Sequence, residues 1–336
     1  MILVTGGTGL VGSHLLYHLA VANEEIIAIY RTEDRINNVK KIFSYYTKNT
    51  SSLLTKIKWI KADITDIPSL KTVFSHAITK VYHCAALVSF NPKDYKKMRR
   101  VNIDGTANIV NFCIDSYIEK LCFVSSIAAI GDSINGKPIT ESNEWIDHEE
   151  NHGYAITKYG AEIEVWRGSQ EGINIVIVNP GVILGSGFWE EGSGKLFKQI
   201  YNGFKFYTEG VTGFVAIQDV VKAMITLTNS TITNERFILV SENKSFKEIL
   251  FSIADGFKKK RPSIKIGKFT SNIAWRIDWV LSKVIRKSPL LTKNSAKSAH
   301  NKTYYSSNKI KKSNISFEFT PIEESIHSIC ADYTRN

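Results

Sequence analysis

The sequence predicts an α/β protein built on a doubly wound parallel sheet with a smaller C-terminal domain. Three observations carry this reading. Short β-branched runs alternate with amphipathic stretches, the rhythm of a parallel sheet covered by helices on both faces. Most of those runs are apolar with little alternation, as expected of strands buried on both sides. After Pro180 the rhythm changes to a Gly-rich loop, Gly185–Gly194, followed by helix–strand–helix material and a basic region. On this pattern residues 1–180 plus about 215–240 form the first domain, and about 181–214 with 241–336 the second. A length of 336 residues with 43% hydrophobic and 22% charged residues excludes a disordered chain and a small scaffold held by disulfides or metal.

The elements follow in order. Ile2–Thr5 is the first strand and runs into Thr5-Gly6-Gly7-Thr8-Gly9-Leu10-Val11-Gly12, then a helix over Leu10–Ala22. Gly7, Gly9 and Gly12 spell GxGxxG, while Gly6, Gly9 and Gly12 spell GxxGxxG. Small residues let the backbone turn tightly and approach a pyrophosphate, and the helix N-terminus offers N–H groups and partial positive charge. A plain turn-rich loop is the alternative, but a place after a strand and before a helix favours a dinucleotide site of the Rossmann type. The second strand, Glu25–Tyr30, leads to Arg31-Thr32. Here such folds carry an acid for the adenosine ribose hydroxyls, or an Arg when that ribose bears a 2′-phosphate. Arg31 therefore favours NADP, with Glu33 and Asp34 leaving NAD open and a solvated surface cation as the plainer reading.

Thr47–Ser52 is polar and reads as a loop lengthening before the third strand, Ile57–Lys61. Lys80–Cys84 is the fourth strand, and Tyr95–Tyr117 is a helix. The fifth strand, Leu121–Ser125, ends in Ser125-Ser126 at the sheet edge where ligands bind in open α/β folds. On the helix Tyr154–Ser169, Tyr154 and Lys158 stand four apart and share a face. A neighbouring ammonium stabilises phenolate and lowers its pKa, so the pair can pass a proton to or from a substrate oxygen while a nicotinamide exchanges hydride. Alone, such a pair is mostly structural. Its company gives it meaning. Asn174–Val178 is the sixth strand.

Together these motifs resemble an extended short-chain dehydrogenase/reductase, of the NAD-dependent epimerase/dehydratase family, over nearly the whole chain. Thr5–Gly12 is similar to the family's TGxxGxxG, and Asp63 in Lys61-Ala62-Asp63-Ile64 resembles its adenine-contacting residue. His83-Cys84-Ala85-Ala86 resembles the segment lining the cofactor after the fourth strand, and Val101-Asn102-Ile103-Asp104-Gly105-Thr106 its VNxxGT helix. Ser125-Ser126 followed by Gly131 resembles its catalytic-serine strand, Tyr154 and Lys158 its YxxxK, and Asn179-Pro180-Gly181-Val182 the stretch beside the nicotinamide. The resemblance implies that Tyr154 is the general acid/base. Lys158 would bind the nicotinamide ribose and tune the tyrosine, and Ser126 would orient the substrate oxygen. Asn102 would support this network, with a helix-start role as its alternative. It further implies cofactor contacts at Gly6, Gly9, Leu10, Val11, Gly12, Arg31, Asp63, Ile64, Ala85, Ala86, Ser125, Tyr154, Lys158, Pro180, Gly181 and Val182.

Within that family, Leu87-Val88-Ser89-Phe90, Gly181-Val182-Ile183-Leu184-Gly185 and Phe317-Glu318-Phe319-Thr320-Pro321 are similar to the dihydroflavonol-reductase and hydroxysteroid-dehydrogenase branch. The expectation is an NADP-dependent reductase of a ketone or aldehyde on a fairly apolar substrate, or the reverse alcohol oxidation. Gly185–Phe214 and the C-terminal region would build the substrate pocket. A nucleotide-sugar epimerase or dehydratase using NAD is the alternative, against which Arg31 speaks. A non-catalytic dinucleotide sensor is a further one, against which Ser126, Tyr154 and Lys158 speak. The family also implies a homodimer through the helices 95–117 and 154–169, whose charged faces support it weakly.

Other signals point away from metal and nucleic acid. His148-Glu149-Glu150-Asn151-His152 spells HExxH but is wholly polar and lacks an apolar stripe, so it reads as an exposed loop. His14 and His18, also four apart, read as surface or packing residues. The cysteines Cys84, Cys113, Cys122 and Cys330 show no CxxC spacing and suit a reduced core. No charged leader with an apolar run precedes Gly6, and no apolar run approaches ~20 residues, so a cytoplasmic protein is expected. The formal charge is +11, but it is localised: Gly256–Lys312 carries sixteen Lys or Arg against the single acid Asp278, a net +15 that leaves −4 elsewhere. A solvated lysine-rich face is the default. A weak membrane-surface contact and a negatively charged substrate are the alternatives. For Asn272–Lys287, with Trp275 and Trp279 among its cations, a helix over the substrate pocket is preferred to a membrane helix.

Overall fold

The computed structural model describes residues 1–146, 153–271, 275–276 and 299–335. The HExxH stretch at 148–152 lies outside them, as does most of Asn272–Lys287. Seven parallel strands form one sheet: β1 (Ile2–Thr5), β2 (Ile26–Tyr30), β3 (Ile57–Lys61), β4 (Lys80–His83), β5 (Lys120–Val124), β6 (Ile175–Pro180) and β10 (Glu235–Leu239). Their spatial order is β10-β6-β5-β4-β1-β2-β3, so the winding reverses between β1 and β4, where a crevice opens at the strand ends.

Strand alternation sends side chains to both faces. Ile2 and Val4 join Leu15, Leu16 and Phe43 beneath α1 (Leu10–Val21), α2 (Ile36–Tyr46) and α9 (Ile217–Asn229). Leu3 joins Leu70, Ile109 and Val165 beneath α4 (Ile67–Phe74), α6 (Gly105–Asp115) and α7 (Gly153–Gln170). The expected helix over 95–117 runs without a gap to Asp115 but contains a π-helical turn (Arg100–Asp104) between α5 (Tyr95–Arg99) and α6. The expected loop at Thr47–Ser52 is partly helical, α3 spanning Thr50–Leu54, because Leu53 and Leu54 pack against the core.

After β6 the chain leaves the large sheet. The strands β7 (Val182–Leu184), β9 (Val211–Ala216) and β11 (Glu242–Ser245) form a three-stranded sheet, and β8 (Phe206–Tyr207) pairs with β12 (Ile264–Lys265). A separate core of Phe197, Phe214, Ile249, Ile253, Ile326 and Ile329 binds this sheet to α8 (Gly194–Tyr201), α10 (Phe246–Gly256) and the C-terminal α12 (Ile322–Thr334); α11 (Asn308–Lys312) precedes α12. No helix among the described residues is long and apolar enough to cross a membrane. Cys113, Cys122 and Cys330 are buried, Cys84 is half-buried, and none is in a disulfide.

Candidate active site

The glycine loop is shaped by contacts that a side chain would block. Gly6 has φ +66°, and a Cβ there would stand 2.6 Å from the Ala85 nitrogen. A Cβ on Gly12 would stand 2.3 Å from the Gly6 carbonyl oxygen. The first turn of α1 has neither a capping side chain nor an acid. The N–H groups of Leu10, Val11 and Gly12 therefore lack intrahelical acceptors, a cradle suited to a pyrophosphate. A cleft runs from this loop past Arg31, Asp63, Ile64, Ala85 and Ala86.

At its outer end, Arg31 Nη1 lies 3.9 Å from Asp63 Oδ2. The other Asp63 oxygen accepts from the backbone and hydroxyl of Thr65, both at 2.9 Å. Arg35 lines the same cleft and reaches Glu191 at 3.8 Å. Sequence reasoning stopped at Arg31 and missed this second guanidinium. Its signal was the four-residue spacing, obscured by the intervening acids Glu33 and Asp34.

Along the crevice, Tyr154 is half-buried and hydrogen-bonded to the Ser126 side chain. The Ser126 oxygen also accepts from the Ala128 N–H at 3.1 Å, which fixes its direction. Lys158, one turn on, is fully buried; its Nζ donates to the Val124 carbonyl at 2.7 Å and lies 4.4 Å from the Phe123 ring centre. Desolvation pulls its pKa down to about 8, against the opposing pull of Glu162. The phenol of Tyr154 departs from the sequence expectation. Burial raises its pKa and outweighs the Ser126 hydrogen bond that would lower it.

Behind these groups lies a residue that sequence reasoning missed. Glu162 extends the Tyr154, Lys158 series by another four residues and is 1% exposed. Its carboxylate accepts from Ser125 Oγ at 2.6 Å, Asn179 Nδ2 at 2.8 Å and Arg236 Nη1 at 3.0 Å. Asn179 Nδ2 also donates to the Ser126 carbonyl at 3.0 Å. The Ser125 side chain, expected at the cofactor, points its hydroxyl proton at Glu162. Asn102 reaches the helix that carries Tyr154 and Lys158. It sits in the π turn; its Oδ1 accepts from Leu87 N at 2.7 Å, and its Nδ2 donates to Leu87 O and Thr157 Oγ1, both at 3.0 Å. It braces the segment after β4 against the catalytic helix rather than facing a reacting atom. His83 is braced likewise, 2.6 Å from Thr5 Oγ1 and 2.9 Å from Thr106 Oγ1.

Pro180 closes β6, the Gly181 N–H donates to Leu239 O at 3.0 Å, and Val182 opens β7, so this stretch turns the chain out of the large sheet. Beside Tyr154 lies a hollow of about 410 Å³ lined by Phe90, Pro92, Tyr95, Met98 and Ile156 among others. The Phe90 and Tyr154 rings are 6.2 Å apart. Much of this lining comes from residues 89–98, which were not expected to shape a substrate side. His14 and His18 lie apart from the crevice floor: His14 is held by Tyr46 and Ser186, at 2.5 and 3.2 Å.

A nucleotide cleft at the winding reversal and a Ser–Tyr–Lys set beside it define a dinucleotide-dependent enzyme class. The profile of the NAD dependent epimerase/dehydratase family matches residues 2–239, and the chain belongs to that family, whose members are NAD(P)-dependent enzymes. It is 27% identical over 316 residues to a putative dihydroflavonol 4-reductase of Synechocystis, covering 91% of this chain and 87% of that one. It is 28% identical over 272 residues to the anthocyanidin reductase of Arabidopsis thaliana, covering 73% and 77%. Its fold matches the UDP-glucose 4-epimerase of Thermotoga maritima with a TM-score of 0.76 at 17% identity, over 99% and 98% of the two chains.

Proposed function

We propose that the chain is an NADP(H)-dependent oxidoreductase that reduces a ketone or aldehyde on an apolar substrate, or oxidises the corresponding alcohol. The observation that carries this is the Tyr154–Ser126 hydrogen bond at the wall of an apolar hollow, with the buried Lys158 one turn behind. The glycine cradle fits the dinucleotide, and the guanidinium groups of Arg31 and Arg35 at the outer end suit a 2′-phosphate. When bound, the nicotinamide supplies hydride exchange.

The protein residues supply the rest. Ser126 holds the substrate oxygen by a hydrogen bond and orients the carbonyl. Tyr154 delivers the proton that oxygen needs on becoming an alcohol, or removes it in the reverse direction. Lys158, as an ammonium, stabilises the phenolate that remains. Lys158 is buried, while Ser126 and Tyr154 are half-buried, so the proton transfer takes place at the edge of the hollow. In this reading residues 1–180 with 215–240 hold the cofactor, and the remainder completes the substrate side.

Fluorescence titration should show tighter binding of NADPH than of NADH; a preference for NADH would overturn the cofactor assignment and favour the epimerase reading. A panel of carbonyl compounds followed by nicotinamide absorbance should reveal turnover. The Tyr154→Phe variant should lose that turnover and keep cofactor affinity, and unchanged turnover would refute the mechanism.

A further inference from the structure

On the small domain, a face remote from Tyr154 in the chain joins two segments. The N–H groups of Ser263 and Ile264 both donate to Lys205 O, at 3.0 and 2.9 Å. The strands β8 and β12 then pair in parallel, Phe206 opposite Ile264 and Tyr207 opposite Lys265. Tyr207 packs towards the domain, its ring 5.6 Å from Phe251. The pleat therefore turns Phe206 and Ile264 the other way, together. Phe204 joins them with its ring centre 5.6 Å from that of Phe206. Phe204, Phe206 and Ile264 are 38%, 40% and 45% exposed, and Phe269, five residues beyond, is 79% exposed. Single exposed apolar residues need no explanation, but Phe206 and Ile264 held side by side by a strand pair, with the Phe204 ring against them, present a surface.

The surroundings are basic. The stretch Gly256–Ser271 holds six Lys or Arg and no acid, and Lys205 lies between Phe204 and Phe206. The neighbouring acids Asp255 and Glu209 are bonded to Arg261 and Lys265. Lys205, Lys258, Lys260 and Lys268 are all exposed.

We propose that this face adsorbs to the surface of an anionic phospholipid bilayer, the lysines meeting lipid phosphates and Phe204, Phe206 and Ile264 entering the headgroup boundary. Charge complementarity selects that occupant. A second copy docking the same patch would set two like-charged surfaces against each other. A nucleic-acid backbone would use the cations but leave the aliphatic Ile264 without a partner, since only a planar ring stacks on a base.

The full chain should co-sediment with vesicles of phosphatidylcholine and phosphatidylglycerol at low salt, and far less with pure phosphatidylcholine or at high salt. The double change Lys258→Glu and Lys260→Glu should weaken retention by about tenfold or more. Phe206→Ser with Ile264→Ser should weaken it while the salt dependence persists. NADPH binding and the melting temperature report whether each variant is folded, and the charge variant decides alone if the apolar one is not. No retention on the anionic vesicles at low salt would overturn the proposal. Retention lost only in the charge variant, with binding of random-sequence duplex DNA, would overturn it in favour of nucleic acid. Self-association in light scattering that the apolar variant abolishes would overturn it in favour of a second copy.

Discussion

Glu162 is a buried carboxylate with donors converging on it from three strand ends: Ser125, Asn179 and Arg236. Removing the charge while leaving Arg236 in place strands a partly buried guanidinium, so Glu162→Ala should cost roughly 3–5 kcal/mol, read in urea unfolding. The conservative Glu162→Gln tests a second effect. Glu162 holds the Lys158 pKa up against desolvation, so loss of its charge should move the alkaline limb of the pH–rate profile to lower pH. Two buried histidines set the acid side of stability. Desolvation lowers His83 to about 3 and His14 to about 4, from an unfolded value of 6.5. Each then binds fewer protons folded than unfolded between those values, so stability is whole above pH 6.5 and falls as the pH drops. Urea melts should show a loss on the order of 2 kcal/mol per histidine at pH 5 relative to pH 7.5. The motif residues were legible because each had a family pattern around it. Glu162 and Arg35 were not: Glu162 gathers Ser125, Asn179 and Arg236 from three separate stretches of chain, and Arg35 stands behind the acids Glu33 and Asp34.

Among the elements, the π turn in the 95–117 helix has the most bearing on the site. The π turn places Asn102 where one amide serves both Leu87 and Thr157, and such turns recur at functional sites. Asn102→Ala should leave the Leu87 backbone groups short of partners and cost about 1–3 kcal/mol. Turnover should fall more than cofactor affinity, because the brace reaches Thr157 on the catalytic helix and not the glycine loop. Equal losses in both, measured by kinetics and fluorescence titration, would contradict that division. The strands of the large sheet could be read from composition because burial on both faces demands apolar residues. The π turn could not, since nothing local in 95–117 forbids a regular α-helix and the partners that Asn102 bonds, Leu87 and Thr157, lie elsewhere in the chain. The short helix at Thr50–Leu54 was hidden for the same reason: its polar start masks two leucines that only the folded core accounts for.

At the scale of the molecule, the C-terminal segment stitches both parts together. Ile310 and Phe317 belong to the core of the large sheet, and Ile322, Ile326 and Ile329 to that of the small one. Thr320 donates twice to Asp219, at 2.8 and 2.9 Å, and Ser307 is bonded to Val240 in both directions. Calorimetry should therefore give one cooperative transition; two well-separated peaks would show that the parts unfold independently. The charge asymmetry was legible from sequence alone, whereas the small domain's strand pairings, made by chain segments up to about sixty residues apart, had no periodic signal strong enough to announce them. The sheet order has a last consequence, for synthesis. β6 is flanked on its outer side only by β10, which the chain supplies after an excursion through the small domain. Until Leu239 has left the ribosome, Ile175–Pro180 is an open sheet edge of apolar residues. At about 5–20 residues per second the exposure lasts roughly 3–12 seconds, the interval in which a nascent chain would pair with a neighbour or be shielded by a chaperone.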